Sequence, residues 1–373
     1  MDKIANHLLY GTNSDYFSAK LRSFLDYQSI DFDEVVPSPQ DIDSVIKART
    51  GHDDWPVLVT SNNNVYYQSV GTIDLFEQEF LDQVLIASVI PTSTVSCFVA
   101  KLIELYCDSF MYLPALYMRW GYEESIVNAY SRLKRTYQST KQAHFQANKE
   151  RQKLTLFGLN NHNGPFFEYH AEQMVQMLND HFEHHAYVLG NRLSIADLAL
   201  MGPLYAHFYQ DIRPRELLLG NAPHLLAWIE RMNADDLSEQ GEKRGEWSSL
   251  RTLPETLYPL IQLISDDALL FWKENLRAWH AWADNDRVKT EPIPSFVSTH
   301  RFIWSAVSVE QPTSVSQVWQ VQKLVEVYQQ ANEEDRESIE NMAESLGFSD
   351  LLLMEIDRPV GYKNYHFYHT DAV

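Results

Sequence analysis

Two short stretches combine residue types that suit the binding of an extended peptide ligand. In Trp55-Pro56 a proline opens an apolar strand. Proline cannot donate to a strand ladder, so we predict a cis turn that leaves the backbone N–H and C=O of Trp55 free to pair with a peptide. In Gln68-Ser69, at the predicted start of a helix, a hydroxyl, an amide side chain and free N–H groups suit a carboxylate.

Four histidines have a spacing that is compatible with metal binding. His181, His184 and His185 have helical spacing, and His170 lies further back on the same predicted helix. No acidic or cysteine ligand converges on them in the sequence, and a solvated helix end explains the pattern equally well. We therefore predict no metal site.

The elements around these stretches indicate an α/β domain followed by an all-α part. Strands are predicted at 7–10, 32–36, 57–59 and 65–67, and helical pieces at 16–27, at 45–48 and from about 69 onward. Their order, β-α-β-α-β-β-α, is thioredoxin-like. From about residue 84 the strand patterns stop and long helical patterns take over.

The chain resembles the glutathione S-transferase superfamily. The resemblance rests on Trp55-Pro56 followed by Gln68-Ser69, and on residues 190–197 (Gly-Asn-Arg-Leu-Ser-Ile-Ala-Asp), a segment typical of the helical domain of that family. It implies that glutathione is a co-substrate. The backbone before the cis proline, at Trp55 and Pro56, would pair with the cysteinyl unit of glutathione. Gln68 and Ser69 would hold its γ-glutamyl end.

The resemblance also points to a catalytic position in the loop after the first strand. There the family carries a serine, cysteine or tyrosine that donates a hydrogen bond to the glutathione sulfur and favours the thiolate. The family register places Asp15 at this position, and an aspartate raises the pKa of a neighbouring thiol. If the register is shifted by one residue, Ser14 becomes the catalytic candidate. A role as a plain helix cap explains Ser14 equally well. Tyr10 and Tyr16 are the alternatives.

The resemblance divides the chain into three parts. They are a thioredoxin-like glutathione-binding domain (1–82), a helical domain (83–237) and a C-terminal extension (238–373), which has mostly helical patterns and no assigned chemistry. In the family, the helical domain supplies the pocket for the electrophile. The candidate pocket residues are Tyr16, Tyr112, Tyr117 and Trp120, for which a helical core is the alternative explanation. Large apolar residues of the extension, among them Trp272 and Trp279, predict that it packs on the helical domain near the mouth of this pocket.

The composition of the chain disfavours some classes of binding partner. The 373 residues include 51 acidic and 30 basic side chains, a net charge of −21, which disfavours nucleic acid and anionic membranes as partners. The first ten residues lack the pattern of a signal peptide. The two cysteines, Cys97 and Cys107, form no disulfide framework, so we expect a cytoplasmic protein. A homodimer is compatible with the resemblance.

Two functions follow from these observations. In the first, the protein is a glutathione transferase that directs the glutathione thiolate at a small hydrophobic electrophile. In the second, it is a non-catalytic binding or scaffold protein with a transferase fold that has lost thiol activation. The Trp55-Pro56 and Gln68-Ser69 pairs favour glutathione binding, whereas Asp15 favours the second function.

Overall fold

A four-stranded sheet forms the N-terminal part of the protein. The computed structural model describes residues 7–80, 87–234, 237, 247, 253–285, 291–304 and 307–370. The strands are β1 (His7–Tyr10), β2 (Phe32–Val35), β3 (Val57–Val59) and β4 (Val65–Tyr67). The helical segments are α1 (Tyr16–Tyr27), α2 (39–50, π-helical over Ile42–Lys47) and α3 (Thr72–Phe80).

The sheet has the thioredoxin-like arrangement that the sequence predicts. Its strand order is β2-β1-β3-β4, with β2 parallel to β1, and with β3 antiparallel to both β1 and β4. Asn63 turns the chain between β3 and β4 with a φ of +64°, a conformation that asparagine tolerates. The Trp55–Pro56 peptide is cis, as predicted. Because α3 begins at Thr72, Ser69 lies in the turn before the helix and not at its first residue.

Helices form the second part of the chain. They are α4 (Thr94–Leu105), which continues as a π-helical turn (Tyr106–Phe110), α5 (Tyr112–Trp120), α6 (Glu123–Tyr137), α7 (Thr140–Leu156), α8 (Gly164–Phe182), α9 (Ile195–Met201), which continues as a π-helical segment (Gly202–Tyr209), α10 (Ile212–Leu217), a 3₁₀ turn (Leu219–Asn221) and α11 (Pro223–Met232).

The capping box at the start of α9 fixes a fully buried helix. The side chain of Asp197 accepts a hydrogen bond from the Ser194 N–H at 2.9 Å, and its other oxygen accepts one from the Val188 N–H at 2.9 Å. Both Ser194 and Asp197 are completely buried. Since each buried donor finds an acceptor, the short α9 begins at a defined residue in the centre of the helical part.

The extension is mostly helical, as predicted, but it also contains two β-hairpins that the sequence analysis missed. The helices are a 3₁₀ turn (Glu255–Leu257), α12 (Tyr258–Asn285), α13 (Val315–Gln329), α14 (Glu333–Leu346) and α15 (Ser349–Leu352). The hairpins pair β5 (Phe296–Trp304) with β6 (Val307–Ser314), and β7 (Val360–Lys363) with β8 (His366–His369). In β5, His300, Phe302 and Trp304 are buried while Arg301 and Ile303 are exposed, the alternation of a half-buried strand.

Two glycines show how closely the extension packs on the rest of the chain. A Cβ atom at Gly158, in the loop between α7 and α8, would lie 2.2 Å from the carbonyl oxygen of Glu310 on β6. A Cβ atom at Gly71, just before α3, would lie 2.9 Å from the ring of Trp319 on α13. The extension therefore packs on the helical part, as predicted, and it also packs on the thioredoxin-like part.

Candidate functional site

A cavity of about 180 Å³, here called cavity A, lies between the N-terminus of α1, the Trp55-Pro56 turn and helices α5, α6 and α7. Its lining includes Ser14, Tyr16, Trp55, Gln68, Tyr112 and Trp120. Most of the site residues predicted from the sequence therefore meet in one place. The fold brings them together because the start of α1 and the turn before β3 lie at the same end of the sheet.

Trp55 and Gln68 line cavity A, and Pro56 and Ser69 follow them in the chain without lining it. The Gln68 N–H donates to the carbonyl oxygen of Pro56 at 2.8 Å, which ties the two stretches together. Within the described part of the chain, no backbone hydrogen bond uses the N–H or C=O of Trp55. Gln68 has a φ of +61°, so its backbone holds an unusual conformation, and its side-chain amide donates to the Tyr67 hydroxyl at 2.9 Å.

Ser69, which follows Gln68, carries an unsatisfied buried hydroxyl. Its side chain is completely buried, and its hydroxyl has no hydrogen-bond partner among the described residues. A buried hydroxyl without a partner costs about 1–3 kcal/mol. Its neighbours Gln68 and Val70 both face cavity space. Trp55 therefore presents an unpaired backbone to cavity A, and the unpaired hydroxyl of Ser69 lies one residue after the lining residue Gln68.

At the start of α1, Asp15 is a helix cap. Its carboxylate accepts from the Ser18 N–H at 2.8 Å and from the Ser18 hydroxyl at 2.6 Å. Burial raises the pKa of Asp15 to about 6, although the hydrogen bonds from Ser18 and the charge of Lys153 oppose this effect. Ser14, one residue earlier, lines cavity A with a buried side chain. The helix cap is therefore Asp15 and not Ser14, which lines the cavity instead.

The two tyrosines proposed as alternatives to Ser14 do not offer a hydroxyl to cavity A. The Tyr16 hydroxyl donates to the carbonyl oxygen of Cys107 at 2.6 Å, and burial raises the pKa of Tyr16 well above 10. Tyr10 lies at the end of β1 in a separate apolar cluster with Ile46 and Val57 and lines neither cavity described here. Thr12, which the sequence analysis missed, is a further hydroxyl residue on the lining.

A second cavity, cavity B, has a volume of about 290 Å³ and lies beside cavity A under the extension. Phe17 and Tyr112 contribute from the first two parts of the chain, and Phe271, Phe296 and Phe367 contribute from the extension. All five of these side chains are aromatic, which suits a small apolar molecule. The extension therefore lines cavity B together with the first two parts of the chain.

The predicted pocket residues divide between the two cavities. Tyr112 lines both, while Tyr16 and Trp120 line cavity A only. Tyr117 lines neither, because its ring packs on a glycine of α8: a Cβ atom at Gly164 would lie 1.9 Å from its Cζ atom. Tyr117 is thus a core residue, the alternative that the sequence left open.

A buried cluster of charges supports the floor of cavity A. The Arg119 side chain donates to Asp211 at 2.8 Å and to the carbonyl oxygen of Ser14 at 2.8 Å. Arg132 pairs with the other oxygen of Asp211. The Nδ1–H of His207 donates to the Ala115 carbonyl oxygen at 3.0 Å, and burial lowers the pKa of His207 well below 6.5, so it stays neutral. Arg119 therefore fixes the loop that carries Ser14.

The histidines considered as metal ligands have other partners. His181 lies in the core, not at a solvated helix end, and contacts the Thr256 hydroxyl at 2.9 Å. His170 is also buried and lies between the Tyr106 hydroxyl and the carboxylate of Asp267. Among the described residues, no group of three or more His, Cys, Asp and Glu side chains is arranged to hold a metal ion. In the same part of the chain, no helix is long and apolar enough to cross a membrane.

Comparisons with known proteins agree with the fold. Residues 170–236 match the family model described as Glutathione S-transferase, C-terminal domain. A search of curated proteins finds no significant match. Among solved structures, the chain is similar to a glutathione S-transferase from Rhodospirillum rubrum F11, with 11% identity over 64% of this chain and 89% of that chain (TM-score 0.42). It is also similar to the beta-etherase LigF from Sphingobium sp. strain SYK-6, with 14% identity over 65% of this chain and 100% of that chain (TM-score 0.45).

A third similar structure is a glutathione S-transferase from Methylobacterium radiotolerans in complex with glutathione sulfonate, with 16% identity over 66% of this chain and 97% of that chain (TM-score 0.39). The matched family model covers the segment that contains the Ser194–Asp197 capping box. It follows a thioredoxin-like sheet that carries a cis proline at Pro56. Part of the chain, residues 170–236, is thus similar to the C-terminal domain of glutathione S-transferases.

Proposed function

We propose that this protein binds glutathione in cavity A and directs its thiolate at a small apolar electrophile in cavity B. One observation carries the proposal: Trp55, whose backbone is unpaired, lines cavity A together with Ser14 and the start of α1. The unpaired, buried hydroxyl of Ser69 belongs to the residue that follows Gln68, another lining residue. Glutathione is an extended peptide, so its cysteinyl unit suits the backbone of Trp55. A carboxylate of its γ-glutamyl unit would accept a hydrogen bond from Ser69.

In this arrangement the cysteinyl sulfur lies near the N-terminus of α1. The positive end of a helix favours a negative charge. Ser14 lines the same cavity, and its hydroxyl would donate a hydrogen bond to the sulfur. The thiol loses its proton to water, and the resulting thiolate attacks an electrophilic carbon. A sulfur–carbon bond forms while the electron pair of the broken bond leaves with the leaving group or moves to the adjacent atom. The aromatic walls of cavity B would hold the electrophile and exclude water.

We predict that Ser69→Ala weakens glutathione binding by about 10- to 150-fold. The variant removes a charge-assisted hydrogen bond worth about 1.5–3 kcal/mol, and each 1.4 kcal/mol corresponds to about tenfold in affinity. Calorimetric titration of wild type and variant with glutathione measures the difference. Ser61→Ala, an exposed serine in the turn between β3 and β4, is the matched control and should bind as wild type does. Equal affinities for wild type and Ser69→Ala would remove Ser69 from the site.

One observation favours the second function, a non-catalytic binding or scaffold protein. The Tyr16 hydroxyl is engaged with the Cys107 carbonyl, and Asp15 occupies the position where the family carries its hydroxyl or thiol. A protein of this kind would bind glutathione with the thiol still protonated near neutral pH. The ultraviolet absorbance of bound thiolate separates the two functions, because only the transferase lowers the thiol pKa.

The expected setting of this activity is the cytoplasm. Both cysteines are free thiols in the structure, Cys107 buried and Cys97 partly so, which suits a reducing compartment. Burial raises the pKa of Cys107 well above 9, so its thiol is unreactive. The electrophile and a homodimeric assembly belong to the same proposal and rest on the family.

A further inference from the structure

We infer that the ammonium group of Lys153 supplies the positive charge that holds the glutathione thiolate in this protein. The inference rests on the proposed function and assigns the activating role to a side chain of the helical part. Lys153 lies in the last turn of α7. Neither the sequence motifs nor the family register point to it. Its position relative to the two cavities is what singles it out.

Five residues line both cavities and so mark the passage between them: Phe17, Asp54, Gln68, Tyr112 and Lys153. Among these five, Lys153 is the one that carries a positive charge. When glutathione lies in cavity A and the electrophile in cavity B, the thiolate that attacks the electrophile must lie at this passage. The cation at the passage is therefore the cation nearest to the reacting atoms.

The other cations that line cavity A do not line the passage to cavity B. Arg119 and Arg132 form a buried cluster with Asp211. Lys149 contacts the Asp53 carboxylate at 3.3 Å, towards the exposed rim. These three side chains line cavity A but not cavity B.

Contacts on both sides hold Lys153 in place. Its Nζ atom lies 3.0 and 2.9 Å from the two oxygens of Glu150, one turn earlier on α7, and 5.8 Å from the centre of the Tyr112 ring. Its side chain is about one third exposed. Burial lowers the pKa of Lys153, but Glu150 and Tyr112 more than offset this effect and hold its pKa above 10.5. The ammonium is therefore charged throughout the range in which a thiol titrates.

The local charges show why a cation is needed here. The carboxylates of Asp15, on α1, and Glu150, on α7, both disfavour a neighbouring thiolate. Asp53 and Asp54, before β3, add negative charge to the lining, although Asp54 accepts a hydrogen bond from the Tyr67 hydroxyl. When the thiol loses its proton to water, the sulfur gains a charge next to these groups. Lys153 offsets that charge, because it is the cation that lines both cavities.

The test compares three variants in the full-length chain. Lys153→Met removes the charge and keeps the length of the side chain, Lys153→Arg keeps the charge, and Lys141→Met removes an exposed charge at the start of the same helix. Affinity for S-methylglutathione, which has no thiol, measures peptide binding alone. The pH titration of thiolate absorbance in the glutathione complex measures the pKa of the bound thiol.

We expect Lys153→Met to bind S-methylglutathione as wild type does, while the pKa of the bound thiol rises by about one pH unit or more. The thiolate fraction below that pKa then falls at least about tenfold. Lys153→Arg should restore the wild-type titration, and Lys141→Met should not change it. An unchanged thiol pKa in Lys153→Met overturns the inference. So does a loss of S-methylglutathione affinity at constant thiol pKa, which would make Lys153 a carboxylate ligand. If the wild-type protein itself does not bind S-methylglutathione, the result contradicts the proposed function, and the inference about Lys153 is overturned with it.

Discussion

Replacing Asp211 with asparagine is expected to lower the free energy of unfolding by about 3–5 kcal/mol, because it leaves two buried guanidinium groups without their counter-charge. The side chains of Asp211, Arg119 and Arg132 are 2%, 9% and 11% exposed, so solvent offers them little compensation. Asp211 is also the residue that precedes α10, and its N–H donates to the carbonyl oxygen of His207 at 2.7 Å. The substitution keeps the size of the side chain and removes its charge.

An exposed ion pair provides the matched control. Lys273 and Asp350 lie 2.6 Å apart with side chains 43% and 59% exposed, and such pairs contribute about 0–1 kcal/mol. Urea unfolding of Asp211→Asn and Asp350→Asn gives the two free energies side by side. If both variants lose a similarly small amount of unfolding free energy, the buried cluster does not stabilise the floor of cavity A.

The second large effect is expected when the extension is removed. A chain that ends near residue 237 loses the cover of Phe98, Phe110 and Phe167, all completely buried in the full chain. Phe98 stacks on Phe348 with 6.0 Å between ring centres, and Trp304 lies 5.5 Å from Phe110 and 4.7 Å from Phe167. Fully burying each such side chain contributes about 1.5–3 kcal/mol, so exposing three of them approaches the whole stability of a domain.

We therefore expect the truncated chain to be insoluble or unfolded under conditions in which the full-length chain is soluble and folded. Solubility after expression and thermal unfolding followed by circular dichroism measure this difference. A soluble truncated chain that melts at the temperature of the full-length protein would show that the extension is an independent module. In that case, cavity B would not depend on it.

Much of the fold could be predicted from local sequence signals. Pro56 excludes a central strand before residue 57, the asparagines after β3 favour a turn, and Ser194 with Asp197 specifies the start of α9. These signals depend on neighbouring residues and need no knowledge of the tertiary structure. The hairpin of β5 and β6 was missed although β5 alternates buried and exposed residues, because helical patterns surround it on both sides.

The site was less predictable, because its geometry depends on contacts between distant parts of the chain. Sequence could not tell that the Tyr16 hydroxyl reaches the Cys107 carbonyl, which removes it as a donor to a ligand. It could not separate Tyr112 from Tyr117 either, since both lie on α5 and differ only in the face on which they sit. The sequence did not single out Lys153 as a functional residue, because a lysine near the end of a helix is usually solvated.

We propose that the protein binds glutathione and lowers the pKa of the glutathione thiol. The most direct measurement is a titration of the wild-type protein with glutathione, followed by ultraviolet thiolate absorbance near neutral pH, with S-methylglutathione as the reference ligand. We predict saturable binding of both ligands and a thiolate signal with glutathione alone. Binding of glutathione without a thiolate signal would contradict the catalytic part of the account and favour a binding or scaffold protein, and no binding of either ligand would contradict the account as a whole.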